Sequence, residues 1–316
     1  MASSKEIPVW QKAQEMLNLA DEIEQRIVLP HCFGIASIAL IMSVFSGSKI
    51  SVFAADFPIL LSQLFRLASA TVWSAKAVLI ATLALLPTGS LASAETIRGN
   101  GWTMSLSLPA GKGPFPVVIV MPGCSGNSPP AVAAGLRDHA RRLTSGGFAA
   151  GVINVLGKRS ICADAAALWS MEISAARTVI AAANHLVQDK RIDGDRVGFI
   201  GQSFGGSVAL RIASRKSPFK AIVAYYPWCR NGMGRLRSPT LIMTGRDDTW
   251  TPAARCAALG AQIVTYPGAV HSFDLKTLRR QSVGGVGGQY PVAGNAAAAT
   301  SSQRRYLTFF GQTLRP

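Results

Sequence analysis

The segment VGFIGQSFGGSVAL, residues 197–210, places a serine where its hydroxyl could act as a nucleophile. A short apolar run ends at Gly201, Ser203 follows, and a second apolar stretch begins at Gly205. This order matches G-x-S-x-G, in which a sharp turn between a strand and a helix projects the serine hydroxyl. The positive end of the helix dipole behind such a turn favours negative charge there. Ser203 is therefore the candidate nucleophile, and the alternative is an ordinary turn serine.

A nucleophilic serine needs a base, and the base needs an acid that orients it. In proteins with this kind of turn, the three residues occur along the chain in the order serine, acid, histidine. Of the four histidines in the chain, only His271 comes after Ser203. The acids between these two residues are Asp247 and Asp248. The order therefore predicts a catalytic triad with one candidate base and two candidate acids.

From Glu95 onward, the segments that must position these residues alternate between strands and helices. A hairpin is predicted around Asn100-Gly101, a favoured two-residue turn. Strands are predicted at 114–121, 148–153, 197–200, 221–225, 240–243 and 262–266, and helices at 131–143, 163–186, 205–213, from 252 and at 296–314. The alternation indicates an α/β fold with a mainly parallel, doubly covered sheet. Functional groups gather at the carboxyl ends of such strands, where the candidate triad lies.

Five segments extend the pattern around the candidate triad: PFPVVIVMPGCSG, GFIGQSFGGS, YYPWC, TGRDDTWTPAARC and YPGAVHSFD. Together they resemble the dienelactone hydrolase family of α/β-hydrolases, from about Gly113 to Asp274 and more loosely to the C-terminus. The resemblance implies an α/β-hydrolase fold and cleavage of a small-molecule carboxylic ester or lactone, with no cofactor and no metal. The family pattern G-x-x-D, with proline four positions later, falls on Gly245, Asp248 and Pro252. It therefore favours Asp248 over Asp247 as the acid.

The chain departs from the family pattern in two places. The namesake enzymes use a cysteine nucleophile where this chain has Ser203, which argues against dienelactone itself as the substrate. The His-Gly pair that is common before the oxyanion loop is Pro122-Gly123 here. Because backbone N–H groups form an oxyanion hole, those of Cys124 and Phe204 are the predicted donors.

Two other functions fit the same residues. One is a peptidase or acyltransferase similar to prolyl oligopeptidase, which would use the same triad, although no propeller domain is present in this sequence to support the peptidase. The other is a catalytically inactive hydrolase-like protein that binds a ligand.

Charge is unevenly distributed along the 316 residues, whose formal net charge is +16. Residues 1–94 contain six Lys or Arg and six Asp or Glu, whereas residues 95–316 contain 26 and 10. Most of the excess of Lys and Arg in residues 95–316 is expected on solvated helix faces. Arg230, Arg235 and Arg237, near the predicted site, could attract an anionic ester or a membrane or envelope surface. No nucleic-acid-binding motif accompanies these residues.

The segment before Glu95 predicts export. Residues 72–94 carry Lys76, then an apolar run over 77–86, then Ala-Ser-Ala, which is the order of a signal peptide. Because a signal peptide belongs at an N-terminus, there are two interpretations of residues 1–71. They are an extension of unknown role, or the translation start has been placed too far upstream and they are not made. The alternative is a membrane anchor, since residues 27–48 carry no Lys, Arg, Asp or Glu. The hydrolase domain is predicted over 95–316.

Four of the five cysteines lie within the predicted domain, and an even number is compatible with disulfides in an exported protein. Cys229 follows the strand that ends near Tyr225, and Cys256 lies just after the Asp248 loop. The predicted strand order makes these two segments neighbours, so a Cys229–Cys256 disulfide is expected. Cys124 and Cys162 are then a second pair or free thiols.

Overall fold

The structure is a computed structural model that describes residues 94–230 and 233–314. The predicted extension over 1–71 lies outside the described residues, as does the signal-like segment apart from Ala94. The cysteines at 124, 162, 229 and 256 and all candidate site residues lie inside them.

An eight-stranded sheet forms the centre of the described residues, with the strand order β1-β2-β4-β3-β5-β6-β7-β8. The strands are β1 Glu95–Gly99, β2 Trp102–Ser107, β3 Phe115–Met121, β4 Ala149–Asn154, β5 Ile192–Gln202, β6 Phe219–Tyr225, β7 Thr240–Gly245 and β8 Gln262–Tyr266. β1 and β2 form the predicted hairpin at one edge of the sheet. The pairs β1–β2 and β2–β4 are antiparallel, and all pairs among β3 to β8 are parallel. The prediction of a mainly parallel α/β sheet is confirmed.

Helices cover both faces of this sheet. They are α1 Pro130–Ser145, α2 Ala165–Leu186, α3 Phe204–Ala213 and α4 Ala296–Thr313. Successive side chains of β3 point to opposite faces of the sheet, and each face is covered by its own helices. Val117 and Ile119 pack with α2 and α3, whereas Val118 and Val120 pack with α1 and α4. All four side chains are fully buried, as expected for a strand covered on both faces.

Two elements differ from the sequence prediction. The helix expected from Pro252 is a short 3-10 helix over Ala253–Leu259, with Pro252 at its N-cap. A second hairpin, β9 Gln281–Gly285 with β10 Gly288–Val292, was not predicted at all. Its sequence, QSVGGVGGQYPV, is glycine-rich and alternates apolar residues poorly, so it gives little strand signal. Among the described helices, none is long and apolar enough to cross a membrane.

Candidate active site

Ser203 lies on a strained turn between β5 and α3. Its backbone has φ 53° and ψ −113°, a conformation that non-glycine residues rarely adopt. β5 ends at Gln202 and α3 begins at Phe204, so the serine is the single residue between the two elements. This is the strand–turn–helix geometry that holds a nucleophilic hydroxyl away from the backbone.

The glycines of the motif are required by close backbone contacts. A Cβ on Gly201 would lie 1.9 Å from the carbonyl oxygen of Gly205. A Cβ on Gly205 would lie 2.5 Å from the carbonyl oxygen of Pro122. No side chain fits at these distances, so the turn can close only with glycine at both positions.

The structure brings Ser203, His271 and Asp248 into one hydrogen-bonded series. His271 Nε2 lies 2.9 Å from Ser203 Oγ, and His271 Nδ1 lies 2.8 Å from Asp248 Oδ2. Asp248 follows β7, and His271 lies on the loop after β8, so all three residues gather at the carboxyl ends of parallel strands. His271 and Asp248 are almost completely buried, whereas Ser203 is partly exposed. The Ser203 hydroxyl is therefore accessible to a ligand, whereas the side chains of His271 and Asp248 are shielded from bulk water.

Asp248 is held by further donors. The backbone N–H groups of Trp250 and Thr251 donate to Oδ1, each at 2.9 Å, and the Thr251 hydroxyl donates to Oδ2 at 2.8 Å. Burial by itself raises the pKa of Asp248, but the contacts with His271 and Thr251 outweigh it, so the pKa lies below its ordinary value. The group is therefore a carboxylate at neutral pH and accepts the Nδ1–H of the imidazole. Asp247, the other candidate, is exposed.

The loop after β3 runs beside Ser203. A Cβ on Gly123 would lie 3.0 Å from the Cβ of Ser203, so the chain passes within contact distance of the serine at the position before Cys124. Phe204 is the first residue of α3, and its N–H therefore has no partner within the helix. Cys124 and Phe204 both line a cavity beside Ser203.

Two disulfides flank these loops. The Sγ atoms of Cys229 and Cys256 lie 2.02 Å apart, which is the predicted pairing. Those of Cys124 and Cys162 lie 2.09 Å apart, so the alternative of free thiols does not describe this structure. The Cys229–Cys256 disulfide encloses the Asp248 loop. The Cys124–Cys162 disulfide links the loop beside Ser203 to the segment before α2.

Two cavities meet at Ser203, and Cys124 and Trp250 line both. The first, of about 110 Å³, we call the tryptophan pocket because Trp169, Trp228 and Trp250 form much of its wall. The second, of about 290 Å³, we call the histidine pocket because His271 lines it. Among the described residues that line the histidine pocket, none is Lys, Arg, Asp or Glu.

Charged groups in the tryptophan pocket are paired with one another. Arg230 Nη2 lies 2.6 Å from Glu172 Oε2, and the guanidinium of Arg230 stacks 4.3 Å from the ring centroid of Trp169. Glu172 also accepts a hydrogen bond from Arg211. Arg235 and Arg237, the other two arginines predicted near the site, are exposed. Of the three, Arg230 is the one that reaches the cavity.

The second hairpin forms part of the site that the sequence did not indicate. Trp250 contacts two rings: it stacks on Tyr290 of β10, at 5.0 Å between ring centroids, and its ring is tilted against His271, at 4.7 Å. Val286 at the hairpin turn lines the tryptophan pocket, and Val283 and Val292 line the histidine pocket. Tyr290 and Trp250 are 40 residues apart in the chain, so no local spacing could have linked them.

A mainly parallel sheet covered on both faces, with a strained serine between β5 and α3, defines the chain as an α/β-hydrolase-fold protein. Residues 104–314, about two thirds of the chain, match the sequence profile of the dienelactone hydrolase family. The chain therefore belongs to the dienelactone hydrolase family, as the five segments around the candidate triad predicted. Within the described residues, no three His, Cys, Asp or Glu side chains are grouped so that they could hold a metal ion.

The chain is also similar to solved structures and to curated proteins. A dienelactone hydrolase-like promiscuous phosphotriesterase from metagenomic libraries is 25% identical, with TM-score 0.55, over 71% of this chain and 99% of that one. Dienelactone hydrolase from Anabaena variabilis shares the fold, with 19% identity and TM-score 0.50 over 70% and 97%. Cutinase 2 of Thermobifida cellulosilytica is 36% identical over 25% of this chain and 33% of the relative. Lipase 1 of a Moraxella species is 32% identical over 34% and 32%. The chain thus matches about a third of the length of these curated relatives.

Proposed function

We propose that the protein is a serine hydrolase that cleaves carboxylic esters or lactones through an acyl-enzyme. The observation that carries the proposal is the series Ser203–His271–Asp248, with hydrogen-bond distances of 2.9 and 2.8 Å. Membership of the dienelactone hydrolase family and similarity to a cutinase and a lipase support the same class of reaction.

Catalysis would begin with attack of Ser203 Oγ on the ester carbonyl carbon. His271 Nε2 takes the hydroxyl proton as the new C–O bond forms, and Asp248 stabilises the resulting imidazolium through Nδ1–H. When the tetrahedral intermediate collapses, the C–O bond to the alcohol breaks and His271 returns its proton to the leaving oxygen. Water, deprotonated by His271, then attacks the carbonyl carbon of the acyl-enzyme. The bond from that carbon to Ser203 Oγ breaks, His271 returns the proton to Oγ, and the carboxylic acid is released.

The carbonyl oxygen becomes an oxyanion in this intermediate and needs donors. The backbone N–H groups of Cys124 and Phe204 are the proposed pair, because one follows the glycine that contacts Ser203 and the other opens α3. The α3 dipole adds a positive end at the same point. Removal of one such donor typically costs 10²–10³-fold in kcat.

The acyl and alcohol portions of the ester are assigned to different cavities. The leaving oxygen must lie close to His271 Nε2 in order to receive its proton, and His271 lines only the larger of the two cavities. The alcohol portion is therefore assigned to the histidine pocket. The acyl portion is assigned to the tryptophan pocket, whose wall includes both proposed oxyanion donors.

Hydrolysis of a matched substrate panel tests this function. The panel contains 4-nitrophenyl esters with acyl chains of increasing length, acetate esters with alcohols of increasing length, a simple lactone and a proline-containing peptide. We expect turnover of esters, a steeper decline with acyl length than with alcohol length because about 110 Å³ holds roughly one ring or a short chain, and no turnover by Ser203→Ala.

Other outcomes would point elsewhere. Faster cleavage of the peptide than of every ester would favour the peptidase alternative. Ligand binding without turnover of any member of the panel would favour the inactive binding protein. A steeper decline with alcohol length would reverse the assignment of the two pockets and leave the reaction class unchanged.

A further inference from the structure

A second set of buried polar side chains lies behind the proposed triad and is centred on Asp274. Its carboxylate is 1% exposed. Oδ1 accepts a hydrogen bond from the Tyr226 hydroxyl at 2.5 Å, and Oδ2 accepts one from His139 Nε2 at 2.8 Å. The side-chain amide of Gln202 also donates to Oδ2. The carboxylate thus joins α1, the end of β5 and the residue after β6 to the loop that carries His271.

Tyr226 connects this set to the base and the acid. Its ring centroid lies 4.5 Å from that of His271. Its backbone carbonyl oxygen lies 3.0 Å from the Thr251 hydroxyl oxygen, and the same hydroxyl contacts both Asp248 and His271. A displacement of Tyr226 would therefore disturb the imidazole and its hydrogen-bonded partners together.

Backbone preference does not hold Tyr226 in this place. Its φ is +36°, which is a disfavoured backbone conformation for a bulky residue. Burial and the neighbouring Asp274 raise the pKa of the Tyr226 hydroxyl well above its ordinary value, so the hydroxyl stays protonated and donates. Hydrogen bonds to a carboxylate are roughly twice as strong as neutral ones. Asp274 therefore supplies an anchor for a residue whose backbone is strained.

Gln202 connects the same carboxylate to the nucleophile. It is the last residue of β5 and directly precedes Ser203, whose backbone is also in an unfavourable conformation. The bond between the Gln202 amide and Asp274 fixes the strand end from which the turn departs. One buried group is thereby linked to both ends of the Ser203–His271 contact.

We infer that Asp274 and Tyr226 are positioning residues for the hydrolysis proposed above, on which this inference rests. They act through His271 and Ser203, by holding the imidazole and the serine turn in the reactive arrangement. Stability alone does not require such a set, because replacement of buried ion pairs by well-packed apolar residues is often neutral or stabilising.

Adjacent tyrosines provide a matched test. Tyr225 is also fully buried, and its hydroxyl donates to Ser302 Oγ at 3.0 Å rather than to Asp274. Tyr226→Phe and Tyr225→Phe each remove one buried hydroxyl and one hydrogen bond while the ring remains. With 4-nitrophenyl butyrate, we expect Tyr226→Phe to lower kcat by about 10–100-fold with KM within about twofold, since small misplacement of catalytic groups costs up to ~10²-fold. Tyr225→Phe should keep kcat within about threefold of the wild type.

Stability and labelling measurements separate the possible outcomes. Tyr226→Phe should melt below Tyr225→Phe, because the hydrogen bond that it removes is to a carboxylate, so kcat is measured well below both melting temperatures. A loss of kcat in Tyr226→Phe that disappears at such temperatures would overturn the positioning role. Equal rates of Ser203 labelling by a fluorophosphonate in the two variants would overturn it as well. Asp274→Asn, which places an amide among three donors, should lower kcat at least as much as Tyr226→Phe. A wild type that neither hydrolyses the ester nor reacts with the probe would refute the proposed function, and the inference with it.

Discussion

At the scale of single residues, the candidate site combines strain with dense hydrogen bonding. Ser203 and Tyr226 both have positive φ, and each directly follows the last residue of a central strand, β5 and β6 respectively. Asp248 accepts hydrogen bonds from two backbone N–H groups and the Thr251 hydroxyl, besides its contact with His271. Strain of this kind persists only where the surrounding contacts over-determine the conformation.

The two neighbouring aspartates give the first prediction. Asp248→Asn should lower kcat on the order of 10³–10⁴-fold, because an amide stabilises the wrong tautomer of the imidazole and cannot balance its charge. Asp247→Asn should change kcat by no more than about twofold, since Asp247 is exposed and typical surface substitutions have small effects. Steady-state kinetics on 4-nitrophenyl acetate distinguishes the two. A harmless Asp248→Asn together with a damaging Asp247→Asn would show that the acid is misassigned.

The sequence predicted the residues of the site that follow a fixed order and missed those that depend on tertiary contact. Ser203 and His271 could be found because one turn motif and one later histidine leave little choice. Asp274 and Tyr226 could not, because nothing in the local sequence indicates that a buried carboxylate 48 residues away will accept the tyrosine hydroxyl. The role of Thr251 likewise appears only when its hydroxyl is placed between Asp248 and His271.

At the scale of elements, disulfides and ion pairs fix the loops and helices that hold the site. The prediction of strand order was sufficient to pair Cys229 with Cys256, since neighbouring parallel strands bring the following loops together. The β9–β10 hairpin, which lines both pockets, escaped prediction because its glycines suppress the strand pattern.

The Cys229–Cys256 disulfide gives a prediction on loop restraint. Replacing both cysteines with alanine should lower the free energy of unfolding by roughly 3–4 kcal/mol on the loop-entropy model, for a separation of 27 residues. The activity should also fall, because the closed loop carries Asp248. Urea unfolding and ester kinetics on the double variant measure the two effects. Peptide mapping of periplasmically expressed wild type, alkylated without reductant, is the control: alkylated Cys229 and Cys256 would contradict the pairing.

Asp138 gives a prediction on acid stability. This residue of α1 accepts hydrogen bonds from Gln303 of α4 at 2.7 Å and from Arg141 at 3.1 Å, and Lys276 Nζ lies 3.3 Å away. Burial alone raises the pKa of Asp138, but these partners lower it from 3.8 to about 2. Because the folded-state pKa is lowered, the carboxylate stabilises the fold above about pH 4, and this contribution is lost as the pH falls towards about 2.

Thermal unfolding of Asp138→Asn checks this sign. The variant should melt below the wild type at pH 7, and the difference should shrink steadily between about pH 4 and about pH 2. Asp247→Asn, at an exposed position, serves as the control for the loss of one negative charge. A difference between Asp138→Asn and the wild type that grows as the pH falls would contradict the assignment.

At the scale of the whole molecule, the fold class and the family follow from patterns that run through the entire domain. Alternating strands and helices, a buried β-branched β3 and the five family segments all indicate the same architecture, and the structure agrees. Paired cysteines are typical of proteins that fold in an oxidising compartment, which is consistent with the export predicted from residues 72–94. Substrate identity does not follow from such patterns, since the pocket walls come from loops far apart in the chain.

Export gives a prediction about the mature protein. The order of Lys76, an apolar run and Ala-Ser-Ala predicts cleavage after Ala94, so protein isolated from the envelope or medium of its native host should begin at Glu95. N-terminal sequencing measures this directly. Exported protein that begins at Met1, or at any residue before position 72, would exclude both the cleavage and the misplaced translation start.

The central claim is that Ser203 is an activated nucleophile, and covalent labelling by a fluorophosphonate tests it most directly. We predict that the folded wild-type protein reacts at one site, that mass spectrometry of its peptides places the adduct on Ser203, and that ester hydrolysis is lost in proportion to labelling. His271→Ala should remain folded and react far more slowly, because the serine then lacks its base. Labelling at another residue, or an unlabelled Ser203 in folded wild-type protein, would contradict the account.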